Sequence, residues 1–256
     1  MPETPAPKKM LSTWPISLSL CLIVAMLAGC AVRKPASSYL IDGNEYFKKG
    51  EYDKAEKQYR EALVSEPNNA TVLNNLGVIL NEQGQTDEAI KVLTQAIDQD
   101  PKNPVAQYVL SESYAKSAKF DQALEHARAA VDLDNKEARA YCALAEASLG
   151  KGDLGEAVNA YQQAAELDAD NDRTHHKFAL VLGLRGDLAG QIAQERKAIE
   201  IEPQNVDARI GLVTALSKSG AKQEALAEIK KLAQEEPGNK DVKILQQQLE
   251  REKNLK

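Results

Sequence analysis

Ala55, Ala89, Ala123, Ala157 and Ala225 stand at multiples of one fixed step of 34 residues, which limits this chain to an array of one small unit. Four further columns keep the step without insertion or deletion. Gly50, Gly84, Gly152, Gly186 and Gly220 form one, with Ala118 alone out of line. The others are Ala62, Ala96, Ala130, Ala164 and Ala198; Leu76, Leu110, Leu144, Phe178 and Leu212; and Pro67, Pro101, Pro203 and Pro237. Six units therefore tile residues 36–239, as 36–69, 70–103, 104–137, 138–171, 172–205 and 206–239.

The contents of the period predict a pair of helices, A and B. In unit two Val72, Leu73, Leu76, Ile79 and Leu80 share one face at helical spacing. Gly84 ends that helix, because the residue just past a helix end often needs a left-handed backbone that only glycine adopts at little cost. Helix B is expected over residues 86–98, and Pro101 stops it. Its Ala89 and Ala96 are small where two helix axes must come within roughly 8–10 Å. Gln191 in the alanine column and Glu195 in the aromatic column predict looser packing in unit five, and unit one carries Asp42 where leucine is usual. Residues 240–256 place Val242, Leu245 and Leu249 on one stripe amid Gln, Lys and Glu, which suits a helix that caps the last unit and faces water. A seventh repeat is not expected.

Unit one aligns Tyr39, Gly43, Tyr46, Ala55, Tyr59, Ala62 and Pro67 in a pattern that resembles the tetratricopeptide repeat family, over about four fifths of the chain. The resemblance implies an all-α fold, a right-handed α-solenoid of six helix-turn-helix repeats with a C-terminal capping helix. It also implies a concave groove lined by helix A, where a protein or peptide ligand binds. The side chains at the groove positions include Asn44, Asn74, Asn75, Asn81, Tyr108, Glu112, Arg139, Cys142, Glu146, Arg173, His176 and Lys177. Two special uses of this groove do not carry over. The clamp for chaperone C-terminal carboxylates wants cations where this chain has Val105 and Val109. The asparagine ladder of glycosyltransferase superhelices wants asparagine in every unit, and only Asn75 fits. Arg139, Arg173 and Lys177 lie on facing inner positions of units four and five. They form either a basic patch for a carboxylate or the charge balance of Glu112 and Glu146.

The N-terminus carries a second signal. Lys8 and Lys9 precede an uncharged apolar run from Ile16 to Leu27, the length of a secretory h-region and too short to span a bilayer comfortably. Leu27, Ala28, Gly29 and Cys30 follow, and they resemble the lipobox of bacterial lipoproteins, in which the cysteine is acylated (palmitate among its chains) and becomes the first residue after cleavage. Residues 1–29 are then a signal peptide and 30–35 a short membrane-proximal linker. The competing reading is an uncleaved signal anchor, since the uncharged stretch extends to Val32. Ala31 after Cys30, in place of the aspartate that retains some lipoproteins in the inner membrane, points to the periplasmic face of the outer membrane.

Cysteine and charge narrow the function. Cleavage and acylation remove Cys21 and Cys30 from thiol chemistry and leave Cys142, so no intramolecular disulfide is expected. The chain holds 32 basic and 38 acidic residues; loss of Lys8, Lys9 and Glu3 leaves 30 against 37. Nucleic acid, which wants a basic face, is excluded as a partner.

Enzyme-like strings have structural readings. Gly150, Gly152 and Gly155 spell a dinucleotide motif but follow a helix instead of a strand. Arg185, Gly186 and Asp187 occupy the matching turn one unit on. Asp168, Asp170 and Asp172 begin like a calcium loop that Arg173 and Ala179 fail to complete. His126, His175 and His176 lack metal-ligand spacing. No catalytic residue, metal or cofactor is expected. The chain reads as a non-enzymatic, lipid-anchored interaction scaffold of the bacterial envelope. Its architecture is similar to that of the pilotins that assist pilus and secretion complexes; an adaptor for cell-wall remodelling enzymes is the alternative.

Overall fold

The structure, a computed structural model, describes residues 34–254; the expected leader, Cys30 and most of the linker lie outside them. Thirteen helices and no strands make up the described residues. The A helices are α1 (Ala36–Lys48), α3 (Ala70–Glu82), α5 (Pro104–Lys116), α7 (Ala138–Lys151), α9 (Asp172–Arg185) and α11 (Val206–Lys218). The B helices are α2 (Tyr52–Ser65), α4 (Thr86–Gln99), α6 (Phe120–Leu133), α8 (Leu154–Leu167), α10 (Leu188–Ile201) and α12 (Lys222–Glu235), and α13 (Lys240–Asn254) closes the array. Each A helix packs on its own B helix, and each B helix packs on the next A helix. A helices of units two and three, three and four, and five and six also touch directly. The result is an α-solenoid with an inner layer of A helices.

Local chemistry sets the helix ends. An asparagine column, Asn69, Asn103, Asn171, Asn205 and Asn239, sits just before helix A, and each side chain accepts a hydrogen bond from a first-turn backbone N–H. Glu137 takes that place in unit four, accepting from Arg139 N at 3.1 Å. Between helices A and B the five column glycines hold φ between 71° and 90°, and Ala118 follows them at φ 55°. All six turns close with a bond that reaches five residues back, such as Gln85 N to Leu80 O at 2.8 Å and Lys119 N to Tyr114 O at 2.9 Å. An L side chain is strained in that region, so Ala118→Gly should raise stability by about 0.5–1 kcal/mol after the entropic cost of glycine. A urea midpoint equal to or below that of the native chain would contradict it.

Small residues then let the helices close. Ala55, Ala89, Ala123, Ala157 and Ala225 are all fully buried. Gly43 and Gly77 lie beneath Tyr59 and Leu93, where a Cβ would collide with the opposing side chain. Unit three solves the same contact in reverse: Ser111 replaces the glycine, Ala127 replaces the large residue, and Ser111 Oγ donates to Ala123 O at 2.8 Å. Asp42, the odd residue of unit one, pairs with Lys34 at 3.0 Å.

Unit five departs from expectation. Gln191 and Glu195 do not loosen it; both are buried, Gln191 against Gly183 and Glu195 against Gly211 of unit six. The glycines opposite remove the Cβ atoms that longer polar side chains would meet. What changes is polarity. The apolar core runs from Ala36 to Ala143 and from Ala145 to Leu182, then resumes at Leu212, and Gln191 and Glu195 sit in the gap.

Candidate functional site

The inner layer exposes two places where side chains from different units converge. The first is a cavity of about 280 Å³ bounded by Asn44, Phe47 and Lys48 of α1, Tyr59 of α2, Asn74, Asn75 and Val78 of α3, Val105 of α5 and Arg139 of α7. A chain of hydrogen bonds crosses its floor. Tyr59 Oη donates to Asn44 Oδ1 at 2.7 Å, Asn75 Nδ2 donates to the same oxygen at 3.0 Å, and Asn74 Nδ2 donates to Asn75 Oδ1 at 3.3 Å. The chain ends on Asn74 Oδ1, a buried acceptor with no donor. Above it the Arg139 guanidinium lies over the Tyr108 ring, 4.8 Å from its centroid, a cation–π contact that holds the charge at the cavity rim.

The second place is the seam between units five and six. Glu195 is 0% exposed, and its Oε2 lies 2.8 Å from His176 Nδ1, while Oε1 has no partner. The hydrogen bond that His176 Nδ1–H donates to Glu195 holds the imidazole above its usual pKa, against burial, which opposes it. Burial pushes the Glu195 carboxyl up, and His176 pulls the other way. The pair is thus a hydrogen-bonded contact, ionic where His176 is protonated and Glu195 is not, whose carboxyl group has been withdrawn from water.

Three of the expected groove residues, Asn44, Asn74 and Asn75, meet in the cavity with Arg139 at its rim and Tyr108 beneath that arginine. Asn81 does not join them. It is buried, donates from Nδ2 to Val109 O at 3.2 Å and accepts from Ser113 Oγ at 3.0 Å, so its amide ties unit two to unit three and is withdrawn from any ligand. Of the two readings of the basic patch, charge balance describes Arg139, paired with Glu112 at 3.4 Å, and Lys177, which is bonded to Glu146. Burial raises the Glu112 carboxyl, and Arg139 lowers it. Arg173 remains exposed beside His176 and Lys177. Cys142 is half-buried, 3.6 Å from Thr174 Oγ1, and burial pushes its thiol up, the opposite of a reactive cysteine. The two ring nitrogens of His175 lie within hydrogen-bond distance of the Gln194 side chain and Ala169 O, and His126 Nδ1 lies within that distance of the Gln107 side chain. Gly152 and Gly186 are left-handed turn residues, and Asp153 and Asp187 cap the helices that follow.

Phe47, Lys48 and Val78 are not among the groove residues expected from sequence, and Tyr59 is expected only as a signature residue of the repeat. Phe47, Lys48 and Val78 all fall at groove positions of helix A. Tyr59 lies on helix B, and only its reach through the gap above Gly43 brings its hydroxyl to Asn44.

Family models described as tetratricopeptide repeat match residues 43–104, and 80–147 with 185–249; a third, described as TPR repeat, matches 149–186. Among curated protein sequences none matches. Solved structures share the fold. PilF of Pseudomonas aeruginosa is similar over 83% of this chain and 97% of its own, at 16% identity and a TM-score of 0.70. MamA residues 41 to the end, from Desulfovibrio magneticus RS-1, is similar over 66% of this chain and 96% of its own, at 23% identity and a TM-score of 0.56. The Cut9–Hcn1 hetero-tetramer of the APC/C contains a chain similar over 91% of this one and 46% of its own, at 14% identity and a TM-score of 0.75.

Proposed function

Because this chain belongs to the tetratricopeptide repeat family, whose fold serves as a protein-interaction scaffold, we propose that it holds a partner protein in the inner face of its array while a lipid on Cys30 tethers it to a bacterial envelope membrane. The observation that carries the groove reading is the unit-one-to-four cavity, where an incomplete hydrogen-bond chain and exposed Phe47 both call for a ligand. Among the described residues no helix is long and apolar enough to cross a membrane; the attachment proposed here is the lipid on Cys30. Residues 31–35 span roughly 17 Å when extended, which keeps the array close to the leaflet. A partner is then itself in or on the membrane. The lipidated six-repeat plan, together with the fold likeness to PilF, supports assembly of a pilus or secretion complex at the periplasmic face of the outer membrane.

A photoreactive amino acid at Val78, inside the cavity, tests the groove in intact cells, with Thr94 on helix B as the control position. Adducts to an envelope complex subunit from Val78 and none from Thr94 are expected. A secretin subunit supports the assembly role; a cell-wall hydrolase transfers it to the remodelling system; adducts from Thr94 alone refute the groove. Cys30→Ser should abolish labelling by a fatty-acid analogue and block leader cleavage. Undiminished label would leave the signal-anchor reading in its place.

A further inference from the structure

We propose that the seam between units five and six is a pH-operated joint, at which unit six and α13, residues 206–254, open away from the rest of the array as one block when the His176–Glu195 contact loses its proton. The joint is independent of the groove and of the lipid. Three features of the seam point to it together.

The first is where the apolar core stops. One cluster of buried side chains runs through units one to four from Ala36 to Ala143, and a second carries on from Ala145 to Leu182 of α9. The third, from Leu212 to Leu249, has all its buried members in unit six and α13. From α10 it draws Ile192 and Ile199, each only partly buried. The stability of a repeat array is a sum of unit terms and neighbour-interface terms, so a terminal block with its own core and a poor interface opens before the rest.

The second is what fills the gap. Among the described residues Glu195 is the only buried acid, and it stands in the column where units two and six hold Leu93 and Ile229. Its Oε1 has no partner and lies in the notch left by Gly211 of α11, where even a Cβ would collide with it. Contact across the seam therefore depends on a carboxyl group that water does not reach and on one imidazole, His176 of α9, 2.8 Å from Oε2.

The third is the set of charges around the pair. α10 packs on α9 and α11. His176 shares a cleft with Asp172, Arg173 and Lys177 of its own helix, Glu202 just past α10 and Asp207 of α11. Lys177 is bonded to Glu146 of α7, and Arg209 of α11 to Glu235 of α12, so neither cation is free to serve Glu195. α8, behind α9, brings Glu166 to a separate cleft beside His175. On the outside Arg196 of α10 pairs with Glu224 of α12, but both are about half exposed and hold the seam weakly.

The sign follows from the pair. Glu195, Asp207 and Asp172 keep the proton on His176 above the ordinary imidazole range, so the closed seam is favoured in full below that range. As pH climbs through the raised value the ring becomes neutral, and a buried carboxylate is left without a counter-charge. Opening lets water reach it.

Hydrogen exchange of the full-length protein in detergent, read by mass spectrometry of its peptides and corrected for the intrinsic pH dependence of amide exchange, measures the opening. Between about pH 6 and about pH 9, protection of residues 206–254 should fall at least about fivefold while residues 70–137 keep theirs. Glu195→Gln, which nearly keeps the volume and removes the charge, and Glu195→Ile, which makes the seam apolar, should each render protection of the block insensitive to pH. Circular dichroism checks the helix of both variants, and either one, if folded, decides the matter. Protection of residues 206–254 that does not change with pH, a fall shared by residues 70–137, or a pH dependence that survives substitution of Glu195 would overturn the proposal.

Discussion

His176→Ala should lower the unfolding free energy by about 3 kcal/mol at neutral pH, because it leaves the Glu195 carboxylate buried and uncompensated. The two partners are not equivalent. Glu195→Ile, which installs the residue unit six carries at Ile229 in the same column, should be neutral or stabilising by about 1 kcal/mol, since an apolar side chain has no desolvation to recover. The pH dependence gives the signature. His176 is raised in the fold by Glu195, so its contribution is present in full below the ordinary imidazole pKa and disappears as pH climbs through the raised value. Glu195 is raised by burial, so it costs stability above the ordinary carboxylate pKa, and that cost is relieved as pH falls through its raised value. Asp207 lies near both groups, and Asp172 near His176, and both acids favour the protonated forms. The gap between native chain and His176→Ala should thus be widest between the two raised values and narrow on either side. Urea midpoints at several pH values measure it. A gap that stays constant with pH would reduce His176 to a packing residue.

The second large effect is expected at Gly77. A Cβ there would overlap the Leu93 side chain, so Gly77→Ser should cost about 2 kcal/mol by overpacking, and Leu93→Ala should cost about 3 kcal/mol by leaving a cavity. Together they should cost at least about 1 kcal/mol less than the sum. Unit three is the natural precedent, since it already pairs Ser111 with Ala127 and finds an acceptor for the hydroxyl at Ala123 O. The corresponding carbonyl in unit two belongs to Ala89. Additive losses in a double-mutant cycle would show that the two contacts are independent.

The fold was legible because its determinants repeat. Left-handed glycines, small interface residues and prolines each recur at one step, and a column seen five times is hard to mistake. Even so the asparagine caps went unread, although Asn69, Asn103, Asn171, Asn205 and Asn239 keep the same period. The site was less legible because it depends on which units come close across the inner face. Arg139 belongs to unit four, yet it borders a cavity built mainly from units one and two. Its own pairing with Glu112 spans 27 residues, and that of Lys177 with Glu146 spans 31. The Glu195 substitution looked like a packing fault for the same reason. Its partner His176 and its accommodating Gly211 lie on two other helices, and nothing local to Glu195 announces either.

The last helix begins with Asn239, whose side chain accepts from Val242 N at 3.2 Å, in the same manner as every asparagine-led A helix before it. α13 is in that sense the opening half of a further unit, and Ile244 is left 54% exposed on it. The boundary between inside and end is therefore not written into the backbone. A whole 34-residue block could be spliced in ahead of Asn239 with both junctions intact, so the length of the array becomes a quantity that duplication can extend in fixed increments while the cavity at the other end stays as it is.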